Sequence, residues 1–368
     1  MNIGLDISQI SYSGTGVSRF TQGLLESILK YDKNNQWTFF FFSLRNKLDK
    51  SIETKISKSN HRLIKLPIPQ SLSSLLAYEA RGMTRKLTNQ VKVLKNLNWF
   101  ITSDWIELPV PSKKATIVHD LVFRKFPETV DSKILKTQTK RLEFVVKESD
   151  LIFADSLSTK KDLLNFYEIN KEKIVVNYPG VIAVLSTRDD DDLTTLKKFQ
   201  LNSPYILSVG KIEPRKNIAR LIQSFEKITS NFPDLKLAIV GPKGWGKELG
   251  KSEKVKFLGY VSDPELAILY KRAKVFVYPS LYEGFGYPII EAMRYGCPVV
   301  TSNTSSMPEI AGDAALFFDP IKVESITESI NKLLEDSNLR TKLIQKGKER
   351  AQIFNWKSYY NKLVSCLT

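Results

Sequence analysis

Residues 275–301 read VFVYPSLYEGFGYPIIEAMRYGCPVVT, and their order is strand, glycine loop, helix, strand. Val275–Tyr278 is a β-branched and aromatic run stopped by Pro279, which predicts a short buried strand. Pro288 falls at the first helical position, where its missing N–H costs nothing. Ile289, Ile290 and Met293 follow as the apolar side of that helix, and Val299–Thr301 begins another strand. Two strands joined through a helix pack as a parallel βαβ unit.

The same alternation extends both ways. Upstream, strand patterns at Tyr205–Val209, Lys236–Val240 and Val255–Leu258 are separated by helical spacing over Ile218–Ile228, and Glu265–Ala273 is a further helix. Downstream, helices are predicted over Val323–Glu335 and Leu339–Phe354. The first half carries its own series. Strands are predicted at Asn2–Ile7, Trp37–Phe42, Phe100–Thr102, Ala115–Val118, Leu151–Ala154 and Ile174–Asn177, with helices at Val17–Leu29, Asp131–Lys147 and Leu157–Phe166. The expectation is an α/β fold with two Rossmann-like domains built on parallel sheets. A chain of 368 residues suits two cores of about 150–200 residues each. The boundaries read as a domain over 1–182, a polar linker over 183–203, a domain over 204–352, and a terminal helix over 353–368. The aromatic start of that helix, Trp356, predicts that it crosses back onto the first domain.

Composition narrows the class. Apolar residues make up 42% and charged residues 26%, as in ordinary globular proteins. No stretch approaches the ~20 apolar residues that span a bilayer, and the N-terminal MNIGLDISQI reads as a strand rather than a secretion signal. Cys297 and Cys366 form neither a disulfide framework nor a metal set, and Cys297 reads as a small buried thiol, so the expected compartment is the cytoplasm. The net charge of +16 is uneven, with twelve Lys/Arg against three Asp/Glu in residues 45–95. Such an excess is either a solvated surface or a site for a polyanion. No loop predicts base readout, so nucleic acid is not the expected partner. Ser71–Leu97 reads as an amphipathic helical stretch. Leu72, Leu75, Leu76, Met83, Leu87, Val91 and Leu94 are its apolar side, and Arg81, Arg85, Lys86, Lys92 and Lys95 its basic one. Such a helix either packs on the sheet or lies on an anionic membrane.

Four segments carry candidate chemistry. In Tyr282–Glu291 the glycines let backbone amides approach a ligand, and the helix start adds positive partial charge. Glu283 and Glu291 are eight residues apart, so both can reach one ligand, and carboxylates accept hydrogen bonds from paired sugar hydroxyls. In SVGKIEPRKN (208–217), Arg215 and Lys216 precede a helix for which Asn217 is the expected cap, and Lys211 is a third cation. Two cations at a helix start suit a diphosphate. In Ser13–Arg19 a glycine loop leads from strand one to helix one, the usual approach to a phosphate, with Gly16 as its candidate. Arg19 stands where a dinucleotide fingerprint needs its third glycine, so NAD is not indicated. His119, one of two histidines, ends an apolar strand, with Asp120 beside it to orient it or brace the loop; His61 lies in a polar basic run. Asp189–Asp192 has no strand leading into it and does not read as a metal site.

Residues 278–320, YPSLYEGFGYPIIEAMRYGCPVVTSNTSSMPEIAGDAALFFDP, resemble the donor-binding signature of retaining GT-B glycosyltransferases of family 4, including its E-x7-E pair. The resemblance is strong over about 203–320 and weaker over 1–180. It implies two Rossmann-like domains facing a donor cleft. Glu283 would contact the donor sugar with the amides around Phe285 and Gly286, and Glu291 the ribose. Arg215, Lys216 and Lys211 would bind the diphosphate, the Gly16 loop would cover the phosphates, and His119 would lie near sugar and phosphates. It implies no divalent metal and no cofactor beyond the nucleotide-sugar substrate, and a leaving phosphate that itself takes the acceptor proton. The HDL and G-x-I-E-P-R-K-N segments resemble a subgroup rich in mannosyltransferases of bacterial surface polysaccharides. GDP-mannose is therefore the expected donor and a glycan or lipid-linked saccharide the acceptor, with contact at the inner face of the membrane. UDP-sugars and dTDP-rhamnose stay open as donors, and an epimerase, a phosphorylase or a non-catalytic basic binding protein are the other classes. At Ser103-Asp104-Trp105 the chain departs from relatives that carry a histidine, so the acceptor does not transfer by resemblance.

Overall fold

The computed structural model describes residues 1–12, 14–102, 104–181, 189–246, 249–250 and 252–368. Ser13 of the glycine loop, Ser103 and the start of the expected linker (183–188) lie outside the described residues. The chain divides into two units, Met1–Gly180 with Asn355–Thr368, and Val181–Phe354.

The first unit holds a seven-stranded sheet of β1 (Asn2–Asp6), β2 (Gln36–Phe42), β3 (Arg62–Leu66), β4 (Trp99–Thr102), β5 (Lys113–Val118), β6 (Leu151–Ala154) and β7 (Ile174–Val176). Its spatial order is β3-β2-β1-β4-β5-β6-β7, and every pairing is parallel. Central strands such as β4 are buried throughout, which is why they read as continuous apolar runs. The C-terminal helix Trp356–Leu367 joins this unit. Its Trp356 ring lies 5.5 Å from Phe20, its Tyr359 ring 5.4 Å from Phe20, and Trp99 Nε1 donates to the Leu367 carbonyl at 2.8 Å. Gly23 makes room for it, because a Cβ there would sit 2.2 Å from the Trp356 ring.

The second unit holds a six-stranded parallel sheet of β8 (Tyr205–Val209), β9 (Lys236–Val240), β10 (Val255–Gly259), β11 (Val275–Tyr278), β12 (Val299–Ser302) and β13 (Ala315–Phe318), in the order β10-β9-β8-β11-β12-β13. The helix Ile218–Ile228 buries Ile218, Leu221, Ile222, Phe225 and Ile228, spaced for one helical face, against Ile206 and Val277 of the sheet. Strand order reverses between β8 and β11. In open α/β sheets the crevice beyond the carboxyl ends of such neighbours is where ligands bind.

Several elements differ from expectation. β3 and β13 were not anticipated; both are edge strands, and β3 mixes Arg62 and Lys65 with exposed positions, whereas β13 is a short apolar run, Ala315-Leu316-Phe317-Phe318, that the reading passed over. Within the stretch expected as a linker, Asp189–Lys198 is helical. Its Asp192 carboxylate is buried and pairs with Lys271 at 3.0 Å and Arg272 at 2.7 Å, at the C-terminal end of the helix Asp263–Arg272. Finally, Ser71–Leu97 is broken into short pieces, Gln70–Ser74, a π-turn at Leu75–Glu79, Arg81–Thr88 and Lys92–Lys95. Arg81 leaves the basic face altogether. It is buried, forked onto Glu148, and donates from Nη1 to the Glu107 carbonyl at 2.5 Å.

Candidate functional site

The loops that leave β8 and β11 meet at the switch point of the second unit. After β8 the chain turns through Pro214–Lys216, and Asn217 adopts the left-handed conformation (φ 58°) before the helix Ile218–Ile228. Asn217 occupies the cap position, but its side chain does not cap the helix. Its amide donates instead to the carbonyls of Pro279 (3.1 Å) and Pro320 (2.7 Å), locking this turn to the segment after β11. The Leu281 N–H donates to the Arg215 carbonyl at 2.9 Å and completes the clamp.

That clamp brings three predicted residues into one ion cluster. Arg215 Nη1 lies 2.9 Å from Glu283 Oε1, Lys216 Nζ lies 2.6 Å from the same oxygen, and Arg215 Nη2 pairs with Glu213 at 2.8 Å. Lys216 also donates to Tyr278 Oη at 2.9 Å, and Arg215 to the Tyr282 carbonyl at 2.5 Å. Burial opposes the charge on Glu283, but the two cations outweigh it and hold its carboxyl at about 2. Burial also pulls Lys216 below the ordinary lysine value, against the attraction of Glu283. The cluster has two cations focused on one carboxylate oxygen in a largely buried setting. An incoming phosphate oxygen can compete for those cations, and Arg offers it a planar fork.

The loop around Glu283 is held rigidly. Ser306 Oγ donates to the carbonyls of Glu283 and Phe285, each at 2.9 Å, and Ser305 Oγ to that of Glu283 at 2.6 Å. Gly286 sits at φ 99°, a conformation that admits glycine, just ahead of the helix Tyr287–Arg294. Phe285 is buried, its ring 5.5 Å from Phe354. Glu291 is buried in the same helix and accepts from Tyr270 Oη at 3.0 Å. Lys211 points elsewhere, its ammonium 4.4 Å over the Trp245 ring on the loop after β9.

The other two candidates belong to the first unit. Gly16 opens the helix Gly16–Tyr31 and is exposed; Thr15 caps that helix by accepting from the Ser18 N–H at 3.2 Å. The positive φ in this loop falls on Gly14 (81°), not on Gly16. His119 follows β5, and its Nδ1 lies 2.7 Å from Asp155 Oδ2. Of the two roles expected for Asp120, the structure shows the bracing of the loop, where it accepts from the Val122 N–H at 2.9 Å.

Reading the sequence missed Glu213, Tyr278, Tyr270 and Asp155. Glu213 stands two residues before Arg215, and its acidity beside a cation pair was a usable signal. Tyr278 and Tyr270 read as core aromatics, and Asp155 as the residue after an apolar strand; nothing local marks them as partners of distant groups.

The chain matches the family model described as glycosyl transferases group 1 over residues 192–350, a span that contains Arg215, Lys216, Glu283 and Glu291. It is 33% identical over 260 residues to the O-antigen chain mannosyltransferase B of Escherichia coli, covering 67% of this chain and 68% of that protein. It is 28% identical over 277 residues to the O-antigen chain mannosyltransferase RfbU of Salmonella typhimurium, covering 67% and 73%. Against the serotype-specific mannosyltransferase WbdA of Escherichia coli the identity is 30%, and the chain spans only 32% of that longer protein. Among solved structures, sucrose-phosphate synthase from Thermosynechococcus elongatus superposes with a TM-score of 0.75 at 20% identity, covering 100% of this chain and 98% of that one. The lipopolysaccharide glycosyltransferase WaaG does so with a TM-score of 0.71 at 15% identity, covering both chains fully (100%). At those identities the two structures speak to fold, and they share the two-sheet GT-B architecture. With that fold, the family match and a mannosyltransferase relative above 30% identity, this chain belongs to the group 1 glycosyltransferases and is an enzyme of glycosyl transfer.

Proposed function

We propose that this glycosyltransferase moves mannose from GDP-mannose onto a glycan or lipid-linked saccharide of a bacterial surface polysaccharide, with retention at the anomeric carbon. The observation that carries the reading is the Arg215–Lys216–Glu283 cluster at the switch point of a unit whose sequence matches the family. The mannosyltransferase relatives support the sugar and the polysaccharide.

In this reading Arg215 and Lys216 turn from Glu283 to the donor diphosphate and stabilise the charge that grows on it as the glycosidic bond breaks, the largest kind of catalytic contribution. Glu283, released from its cations, accepts hydrogen bonds from the sugar hydroxyls. The amides around Phe285 and Gly286 hold the sugar, Glu291 the ribose, and Gly16 and His119 serve phosphates and sugar. Lys211, over Trp245, is an outer cation for the nucleotide. The fixed cations replace a divalent ion, so full turnover in excess chelator is the expected result. The enzyme works on the cytoplasmic side of a membrane, and the exposed Leu72, Leu75, Met83, Leu87 and Val91, interspersed with Lys86, Lys92 and Lys95, rest on anionic lipid there.

The test is thermal stabilisation by GDP, UDP, dTDP and ADP, then turnover with the mannose donor. A ligand present at 100 times its dissociation constant adds about 2.7 kcal/mol to the native state. GDP should stabilise most, and Glu291→Ala should abolish the effect. Stabilisation by UDP alone would remove GDP-mannose and leave the transferase; stabilisation by none would sink the donor site.

A further inference from the structure

His119 and Asp155 are thirty-six residues apart in sequence but adjacent by register, since Val118 of β5 pairs with Ala154 of β6 and each residue is the next one beyond its strand. Their contact is therefore a consequence of the parallel ladder, not of a flexible encounter. Three further observations hold the ring. Its edge meets the Phe20 ring at 4.6 Å between centroids and 72° between planes. Phe20 is itself wedged between Trp356 and Tyr359 of the C-terminal helix. The His119 carbonyl accepts from Thr159 Oγ1 at 3.2 Å, in the first turn of the helix Leu157–Phe166 that Ser156 caps.

Two polar atoms of the pair have no hydrogen-bond partner among the described residues, His119 Nε2 and Asp155 Oδ1. Asp155 is 3% exposed, so its carboxylate cannot be explained as a solvated surface group. Buried polar atoms are almost always satisfied, so Nε2, at the carboxyl end of a parallel sheet, is an atom with hydrogen-bonding capacity that the protein's described residues do not use. We propose that Asp155 is the positioning residue of this enzyme's histidine: it holds the Nδ1 proton, fixes the ring plane and leaves Nε2 for an oxygen of the sugar donor. This rests on the reading that His119 serves the transfer. A carboxylate on the far nitrogen selects the tautomer and strengthens the imidazolium. Burial opposes charge on His119, but Asp155, with a smaller pull from Asp104 and against Arg141, leaves its pKa above the ordinary value. The Tyr359 ring packed behind Phe20 carries no charge in this range, because burial pushes its hydroxyl well above the usual pKa.

The experiment exploits the presence of only two histidines. Imidazole nitrogen NMR on the full chain resolves His119 from His61 once a His61→Gln variant assigns them. Wild type should show the Nδ1–H tautomer and a His119 titration above that of His61, whose pKa burial lowers. Asp155→Ala should lower the His119 pKa by about one unit or more, and turnover by ~10–100-fold, the usual loss when the outer partner of a working side chain goes. Asp155→Asn, closer in size, should retain the fold and randomise the tautomer. The decisive comparison is non-additive: in a His119→Ala background, Asp155→Asn should change turnover no further. An unmoved His119 titration, or an undiminished effect of Asp155→Asn without His119, overturns the proposal. A shifted tautomer with unchanged turnover in both backgrounds would leave the pairing intact and instead refute the use of His119 in the reaction.

Discussion

At the scale of single residues, Glu283 is a group whose charge depends strongly on its neighbours. Arg215 and Lys216 hold its carboxyl at about 2, below the ordinary 4.5. A depressed carboxyl contributes stability that is fully present above the unfolded value and lost as pH falls through the folded one. The share of stability that Glu283 contributes to thermal melts should therefore be constant above about pH 5 and be lost between about pH 4.5 and 2. Glu283→Gln should flatten that limb of the profile, and an unchanged limb would mean other carboxyls dominate it. Replacing both Arg215 and Lys216 by alanine should lower turnover by orders of magnitude with the circular dichroism spectrum intact. The melt of that double variant should also fall, since Glu283 is left buried with its cations gone. Retained turnover would refute the diphosphate assignment.

Elements carry different predictions. The C-terminal helix and the helix Gly16–Tyr31 meet where Gly23 faces Trp356, and a methyl at Gly23 has no room. Gly23→Ala should cost about 1–3 kcal/mol, as overpacking of a core does, although alanine favours helix; a rise in melting temperature would show that the ring moves freely. The broken helical segment over 70–95 is the second case. Leu72, Leu75, Met83, Leu87 and Val91 are exposed, while Leu94 packs with Phe40 and Phe100 of the sheet and Arg81 is spent on Glu148. Lys86, Lys92 and Lys95 keep their heads in water. Flotation with anionic vesicles at low salt should carry the protein up, and Leu87→Glu with Met83→Glu should leave it at the bottom. Vesicles of neutral lipid alone should not bind; equal binding to both would remove the electrostatic part of the reading.

For the whole molecule, the path of the chain matters more than any single contact. Residues 355–368 follow the second unit in sequence but are part of the first. A chain ending at Phe354 should melt at a lower temperature in the first unit while the second still binds nucleoside diphosphate. Calorimetry with and without GDP separates the two transitions, and a first unit unaffected by the truncation would refute the role given to Trp356 and Tyr359 in packing on Phe20. What the sequence alone determined is local and periodic. The parallel strands at the sheet centres are buried on both faces and read as apolar runs, and the glycine loop with its E-x7-E pair is contiguous, so the α/β class and the loop proposed here to bind the donor were both legible. Edge strand β3 was not, because a half-exposed strand with Arg62 and Lys65 lacks that run; β13 carries a run of four apolar residues too short to separate strand from helix. Tertiary structure alone decided what depends on register and on contacts between distant segments. Asp155 meets His119 because two parallel strands align, Arg215 and Lys216 converge on Glu283 because loops from β8 and β11 are clamped together, and Arg81 turns inward because Glu148 awaits it. Side-chain partners far apart in sequence leave no periodic trace; only the ladder of the sheet brings them within reach.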